Sequence, residues 1–471
     1  MTGPASAPAL DPELAEELGR LLGPDNFSQA LPDLLAASLD ATDLQYRPQA
    51  VAWPLDRDQV AGILTLANRH RFPVTPRGAG TGLTGGALAA RGGLVMDLCR
   101  MNRIREISVP DRLAVVEPGV VYAQLDRALA PHGFFFPPDP ASGQSCTLGG
   151  NVATNAGGIR GAKYGTTRDY VLGLEAVLAD GRILRTGSRT MKCVSGLDLT
   201  RLFVGSEGIL GVVTEITFKI DPRPSATATA MAFFGTLAQA GQAVTGIIEA
   251  GLVPAVLEAM DGRCISLLID HGRMDLPRAE ALLLAETDGF SRAEAELQLE
   301  KVVQVFRRLG ALEIRSARDE KEAAGLWLAR RSIGPLAIRL KPSGLVEDVT
   351  VPISRLTELM EGVARIGAEQ DLLIINFGHA GDGNLHPQIM FDRADPDEVE
   401  RVEEAAARIL ALACELKGTL SGEHGLGLTK APFVDLEHGP VELEMMAALK
   451  ATFDPLGILN PGKMGFGPDI S

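Results

Sequence analysis

Between Gly78 and Gly86 five of nine positions are glycine, too many for a helix or an ordinary strand, because glycine loses the most backbone freedom on ordering. A fold that keeps such a tract must use bare backbone there. Gly80-Thr81-Gly82-Leu83-Thr84-Gly85 has the GxGxxG spacing of dinucleotide-binding turns. That spacing carries meaning only between a strand and an immediately following helix whose N-terminus faces a pyrophosphate. Here Gly86, Gly92 and Gly93 follow, with no long amphipathic helix and no acidic residue at the expected distance. Two readings remain: a phosphate cradle of converging N–H groups with Arg77 at its rim, or a turn that holds nothing. A second tract decides for a ligand. Pro138-Asp139-Pro140, Thr147-Leu148-Gly149-Gly150-Asn151 and Asn155-Ala156-Gly157-Gly158 form a stretch too long and glycine-rich for a turn, and such stretches in compact domains wrap ligands.

Apolar residues at helical spacing over 57–71 (Val60, Ile63, Leu64, Ala67) predict a helix, with a strand at 72–75 after it. Strands at 93–98 and 113–117, a helix at 122–130 and strands at 171–178 and 211–220 complete this region. Pro222-Arg223-Pro224 marks a boundary, since proline ends strands and stiffens linkers. Beyond it, strands at 282–286, 312–316, 347–351 and 372–377 alternate with helices at 293–309, 356–366 and 395–417. That rhythm predicts an α+β domain with helices on one sheet face. A chain of 471 residues suits two or three domains. The expected division is a helical lead-in at 1–45, a ligand-binding domain at 46–222, an α+β domain at 223–425 and a helical tail at 426–471 returning to the ligand.

The formal charge of -15 disfavours nucleic acid and anionic membrane, so an anionic substrate needs a local positive site. The first 23 residues read as an acidic helix, not as a secretory leader, and no apolar run approaches the ~20 residues of a membrane span. Five cysteines, odd in number and far apart, form no metal or redox spacing. They predict reduced thiols, a cytoplasmic protein and no iron–sulfur cluster within the chain, and any membrane association would be peripheral, through a partner.

With seven histidines in all, two in Gly378-His379-Ala380-Gly381-Asp382-Gly383-Asn384-Leu385-His386 are informative. The glycines and Asp-Gly exclude a helix and predict a hairpin that brings both imidazoles together. Gly422-Glu423-His424-Gly425 offers a third ligand, and in extended chain its adjacent Glu423 and His424 point opposite ways and take different tasks. A lone histidine would more simply be a hydrogen-bonded loop residue. This cluster favours a metal, and two imidazoles with one carboxylate leave positions open, as catalytic sites do.

The motifs Pro76-Arg77-Gly78-Ala79-Gly80-Thr81-Gly82, Leu148 through Gly158, Lys163-Tyr164-Gly165 and Gly205-Ser206-Glu207-Gly208 together resemble the FAD-binding domain of the vanillyl-alcohol oxidase (PCMH-type) superfamily. The chain from about Leu44 to Met464 is similar to the FAD-linked D-2-hydroxy acid dehydrogenases and oxidases. That branch includes the D subunit of bacterial glycolate oxidase, D-lactate dehydrogenase and D-2-hydroxyglutarate dehydrogenase. The resemblance implies a PCMH-type FAD domain followed by an α+β FAD-linked oxidase C-terminal domain with a mainly antiparallel sheet. It implies FAD contacts from Pro76, Arg77, Gly78, Ala79, Gly80, Thr81, Gly82, Pro138, Asp139, Gly149, Gly150, Asn151, Asn155, Gly157, Gly158, Tyr164, Gly165, Glu207, Gly208 and Asn460. Thr81 stands where some members carry a flavin-linked histidine, so the FAD should be noncovalent. Asn460, before Pro461, also reads as a helix terminator.

By the same resemblance His379, His386 and Glu423 hold a divalent metal, zinc first, with manganese or iron as alternatives. His424 is then the catalytic base, and Arg330 clamps the substrate carboxylate, with Arg331 and a plain surface arginine as rival readings. Asn384 is a further substrate contact. The expected reaction oxidises a D-2-hydroxy acid to the 2-oxo acid by hydride transfer to flavin N5. Gly334 and Val346 replace the threonine and lysine that hold a second carboxylate in hydroxyglutarate enzymes. A monocarboxylate such as glycolate, D-lactate or a longer acid is therefore favoured over 2-hydroxyglutarate. Reduced FAD then needs a separate acceptor, a protein or quinone, and the chain works as a homodimer or as a subunit of an oxidase complex. The rivals are a noncatalytic flavin-binding subunit, against which the three histidines argue, and a metal-dependent hydrolase, which would leave both glycine tracts idle.

Overall fold

The computed structural model describes residues 10–466; the parts of the expected lead-in and tail at 1–9 and 467–471 lie outside the described residues. The chain forms two compact units, one of residues 1–157, 166–222 and 423–471, the other of residues 158–165 and 223–422. Apart from the excursion at 158–165, the chain leaves the first unit after Pro222 and returns to it between Gly422 and Glu423.

In the first unit, Pro12–Leu22 is a helix capped by the Asp11 carboxylate, and Arg57–His70 is a helix capped by Asp56. Their apolar faces, with Leu14, Leu18, Val60, Ile63 and Leu64, cover a four-stranded sheet in the order Phe27–Ser28, Ala50–Ala52, Leu94–Asp97, Val74–Arg77. Leu94–Asp97 pairs parallel with both neighbours, and its right-hand neighbour Val74–Arg77 leads straight into the first glycine tract. A five-stranded antiparallel sheet runs Ile104–Ser108, Leu113–Val116, Val212–Lys219, Val171–Val177, Ile183–Gly187. Phe136 anchors its core, with ring contacts to Tyr122, Tyr170 and Phe218.

The second unit is built on one eight-stranded sheet, antiparallel throughout. Its order is Glu313–Ser316, Ala226–Phe234, Ala281–Gly289, Val256–Asp261, Leu373–His379, Asn384–Phe391, Ser343–Val346, with Val349–Thr350 also pairing Asn384–Phe391. Helices cover both faces, not the one face expected from the rhythm of elements. Met231, Phe233, Leu282 and Leu284 pack with the helices Gly262–Asp270 and Glu320–Ala337, while Ala228 and Ala230 pack with Ala295, Leu299 and Val303 of Arg292–Arg308. Successive residues of a strand face opposite ways, so the unbroken run Leu282-Leu283-Leu284-Ala285 signals a strand buried on both sides. Residues 158–165, placed by sequence in the FAD domain, belong to this unit because Lys163 and Tyr164 both bond the Asp288 carboxylate.

Candidate active site

In the first unit both glycine tracts line one cavity of about 470 Å³, together with Pro118, Phe203, Ser206, Glu207, Glu423 and His424. Residues 148–154 are a short helix capped by Thr147, whose Oγ1 accepts from the Gly150 N–H at 3.2 Å. A Cβ at Gly78 would meet that same Oγ1 at 2.2 Å, and one at Gly157 would meet the Glu423 carboxylate at 2.8 Å. Those two glycines are thus the spaces that Thr147 and Glu423 fill. The Asn151 Nδ2 donor is buried on this wall without a hydrogen-bond partner among the described residues, which marks a place for a ligand acceptor.

Of the residues expected to hold the cofactor, Pro76, Arg77, Gly78, Ala79, Gly80, Thr81, Gly82, Gly149, Gly150, Asn151, Gly157, Glu207 and Gly208 line this cavity. Pro138 and Asp139 stop short of it, just before the lining residue Pro140. The Arg77 guanidinium lines the cavity and donates to the carbonyl of Leu39 at 2.6 Å, which anchors it there. Asn155 sits in the left-handed region (φ 52) as the C-cap of the short helix, and its Oδ1 accepts from Thr166 and from the Arg168 N–H. Asn460 (φ 44) donates to the carbonyls of Gly86 and Glu207, tying the tail to two lining residues without lining the cavity itself. Gly158, Tyr164 and Gly165 fall in the other unit.

In the second unit the hairpin register explains the histidine pair. His379 ends its strand opposite Asn384, and His386 lies opposite Phe377, so the two histidines are diagonal neighbours on one face. Their Nε2 atoms are 3.4 Å apart and both side chains are buried. Behind His379, Nδ1 meets the Glu258 carboxylate at 2.5 Å, and Arg330 Nε donates to the other oxygen of Glu258 at 2.6 Å. Behind His386, Nδ1 lies 3.6 Å from Asp348, which also accepts from Asn384 Nδ2 and Ser421 Oγ, each at 2.7 Å. A carboxylate bonded to the far nitrogen of an imidazole, as Glu258 is to His379, orients the ring toward a metal, and with Asp348 close behind His386 the donor set fits a divalent ion. Burial alone would raise the Glu258 carboxyl, but His379 and Arg330 outweigh it and hold the group at about 2.

Arg330 lies on the inward side of Glu320–Ala337, its guanidinium over the Phe377 ring at 4.6 Å. Arg331 is exposed and lies over Trp327 instead. The Asn384 amide nitrogen is occupied by Asp348, Val349 and Thr350, which makes this residue a brace for Asp348. Glu258 and Asp348 were missed by sequence reasoning. The available signal for Glu258 was a single charge inside the apolar run Val256-Leu257-Glu258-Ala259-Met260.

Residues 48–187 match the FAD binding domain, and residues 223–464 match the family described as FAD linked oxidases, C-terminal domain. The chain belongs to the FAD linked oxidases. It is 45% identical over 455 residues to glycolate oxidase subunit GlcD of Bacillus subtilis, covering 96% of each chain. To the Escherichia coli K12 protein of that name it is 41% identical, over 88% of this chain and 83% of the relative. D-lactate dehydrogenase of Anaerostipes hadrus is 35% identical over 89% of this chain and 90% of its own. Among solved structures, p-cresol methylhydroxylase shares the fold at a TM-score of 0.80 and 19% identity, over 97% of this chain and 96% of that one. The PCMH-type FAD domain, the FAD linked oxidase C-terminal domain and the mainly antiparallel sheet read from the sequence are thus shown, and the protein is an FAD-linked oxidoreductase. The glycine-built cavity with its unpartnered Asn151 donor fits that cofactor. Among the described residues no helix is long and apolar enough to cross a membrane, and all five cysteines are free.

Proposed function

We propose that this oxidoreductase oxidises a D-2-hydroxy monocarboxylate of the glycolate or D-lactate class to the 2-oxo acid. The names of its relatives support that substrate class. The observation that carries the reading is the buried His379–His386 pair with a carboxylate behind each ring. FAD, held noncovalently by the glycine tracts, would supply the acceptor for the hydride leaving C2. A divalent metal, zinc first, with His379, His386 and Glu423 as ligands, would supply a Lewis acid for the substrate hydroxyl.

The chain's own residues carry the rest. His424 receives the hydroxyl proton on an imidazole nitrogen as the C2 hydrogen departs with its electron pair. Arg330 spends Nε on Glu258 and turns its two Nη groups, in a planar fork, to the substrate carboxylate. That contact is the local positive charge that an anionic substrate needs on a chain of net charge -15. Gly334 and Val346 offer no charge for a second carboxylate, which supports a monocarboxylate over 2-hydroxyglutarate. Five scattered free cysteines give no cluster to relay electrons, so a separate protein or quinone oxidises the flavin. The subunit names of the glycolate oxidase relatives support work within a complex.

The test is an anaerobic absorbance titration of the purified yellow protein with glycolate and with D and L forms of lactate, 2-hydroxyglutarate and longer 2-hydroxy acids. Bleaching by a D monocarboxylate or glycolate, lost on chelation and restored by zinc, is the expected result. A yellow, metal-replete protein that no acid bleaches is a noncatalytic flavin subunit, and the proposal fails.

A further inference from the structure

Glu207 lines the flavin cavity, and both of its carboxylate oxygens accept from the backbone of one segment. Oε1 accepts from the Leu426 N–H at 2.7 Å and Oε2 from the Gly427 N–H at 2.9 Å. These two amides follow His424 by two and three residues. A second set of bonds holds the same segment from the first glycine tract. Thr84 Oγ1 donates to the His424 carbonyl at 3.2 Å, and the Thr84 carbonyl accepts from the Leu428 N–H at 2.7 Å. Asn460 Nδ2 then joins the two anchors by bonding the carbonyls of Gly86 and Glu207.

We infer that Glu207 and Thr84 are positioning residues that hold the segment 424–428 in register with the flavin cavity and so aim His424 at the substrate hydroxyl. The inference rests on His424 being the proton acceptor. Its physical basis is the way short backbone segments are held. A loop that carries one reactive side chain and ends in glycines (Gly425, Gly427) has little packing of its own to fix it. Two bonds from one carboxyl to consecutive N–H groups set its path in a way that a single bond would not. The cost is visible in Glu207 itself. Burial pushes its carboxyl up to about 7, and the two N–H groups, Lys463 and Lys430 offset only part of that. A group retained under such a penalty, with both oxygens on one segment, is placed for that segment and not for FAD.

The test uses the FAD-loaded full chain as wild type, Glu207→Gln and Thr84→Val. Backbone hydrogen exchange of the peptide spanning 424–428 is followed without substrate, and turnover with the acid that bleaches the wild type is split into kcat and KM. Expected for Glu207→Gln are retained flavin, faster exchange confined to this peptide, and kcat down about 10- to 100-fold with KM within about twofold, the size of loss that a misplacement of about 1 Å brings. Thr84→Val should show the same pattern at about threefold in kcat, the worth of one neutral hydrogen bond. Unchanged exchange overturns the inference, as does faster exchange with unchanged kcat. Flavin loss with unchanged exchange overturns it too and returns Glu207 to the cofactor. Should Glu207→Gln fail to fold, the exchange and kcat of Thr84→Val decide alone. A wild type bleached by no acid would defeat the proposed reaction, whereas the exchange result would still decide whether the clamp exists.

Discussion

Glu207 in the first unit and Glu258 in the second are both buried glutamates bonded to a segment that carries a candidate site histidine, and their carboxyls are driven in opposite directions. Glu207 faces two backbone N–H groups, with Lys463 and Lys430 beyond them, and burial wins, to about 7. Glu258 touches the Arg330 guanidinium and the His379 ring, and burial loses, to about 2. Desolvation raises both; a cation in direct contact reverses it, while amide dipoles only reduce it. The difference shows two ways of fixing an imidazole. The FAD unit, made of glycine-rich loops, holds His424 through its backbone. The sheet unit holds His379 and His386 through their rings, because strands already fix the backbone and leave only ring orientation to be set.

The largest effects should come from removing the imidazoles, and they should differ by unit. His424→Ala should lower kcat by about 10²- to 10⁴-fold, the usual worth of a general base, with flavin content and metal content unchanged. His379→Ala should lose metal as well as turnover. Stopped-flow reduction beside metal analysis separates the two, and an H424A protein that has also lost metal would break the division of tasks.

A smaller effect distinguishes the glutamates by pH. Glu207 titrates near 7 when folded against 4.5 ordinarily, so between those values the folded chain binds more protons than the unfolded one. Stability contributed at this site therefore falls as pH rises from about 4.5 to about 7. Across that window the unfolding free energy of Glu207→Gln should gain on the wild type, by at most about 3 kcal/mol, and the gap should be flat on either side. Lys463, lowered to about 8 by burial, adds its own slope only above the window. A gap that closes instead of opening as pH rises through 4.5–7 would mean that the two N–H bonds outweigh burial after all.

The sequence made some of this legible. The helix Arg57–His70 and the hairpin of His379 and His386 follow from short-range pattern, apolar spacing in one and glycines between histidines in the other. Glu258 does not follow, since it lies 121 residues from the ring it orients and only the sheet register brings it there. Arg330 could be told from Arg331 only by the rotation of its helix. Asn155 and Asn460 sit in ligand-binding motifs, yet both take left-handed backbone that a short polar side chain tolerates, and both spend their side chains on protein. Segment 158–165 reads as part of the FAD domain because its neighbours in sequence are, whereas Asp288, far along the chain, bonds it and Ile159 packs in the second unit's core.

Within the second unit the two carboxylate relays are unequal, and this gives the finest test. Glu258 meets His379 at 2.5 Å and is pinned by Arg330, whereas Asp348 lies 3.6 Å from His386, too far for a direct hydrogen bond, and divides itself between Asn384 and Ser421. Glu258→Gln should therefore weaken zinc binding by about 10- to 100-fold, the range for a residue that orients a metal-bound imidazole. Asp348→Asn should cost less, about tenfold or below, because it alters the ring's surroundings more than its orientation. It should also lose about 1 kcal/mol of stability, since its new amide nitrogen meets the Asn384 or Ser421 donor. Competition with a chromogenic chelator measures both affinities, and an unchanged flavin spectrum confirms that the FAD unit is untouched. Equal losses in the two variants would show that contact distance is not what ranks the relays, and that Asp348 acts on His386 as strongly as Glu258 acts on His379.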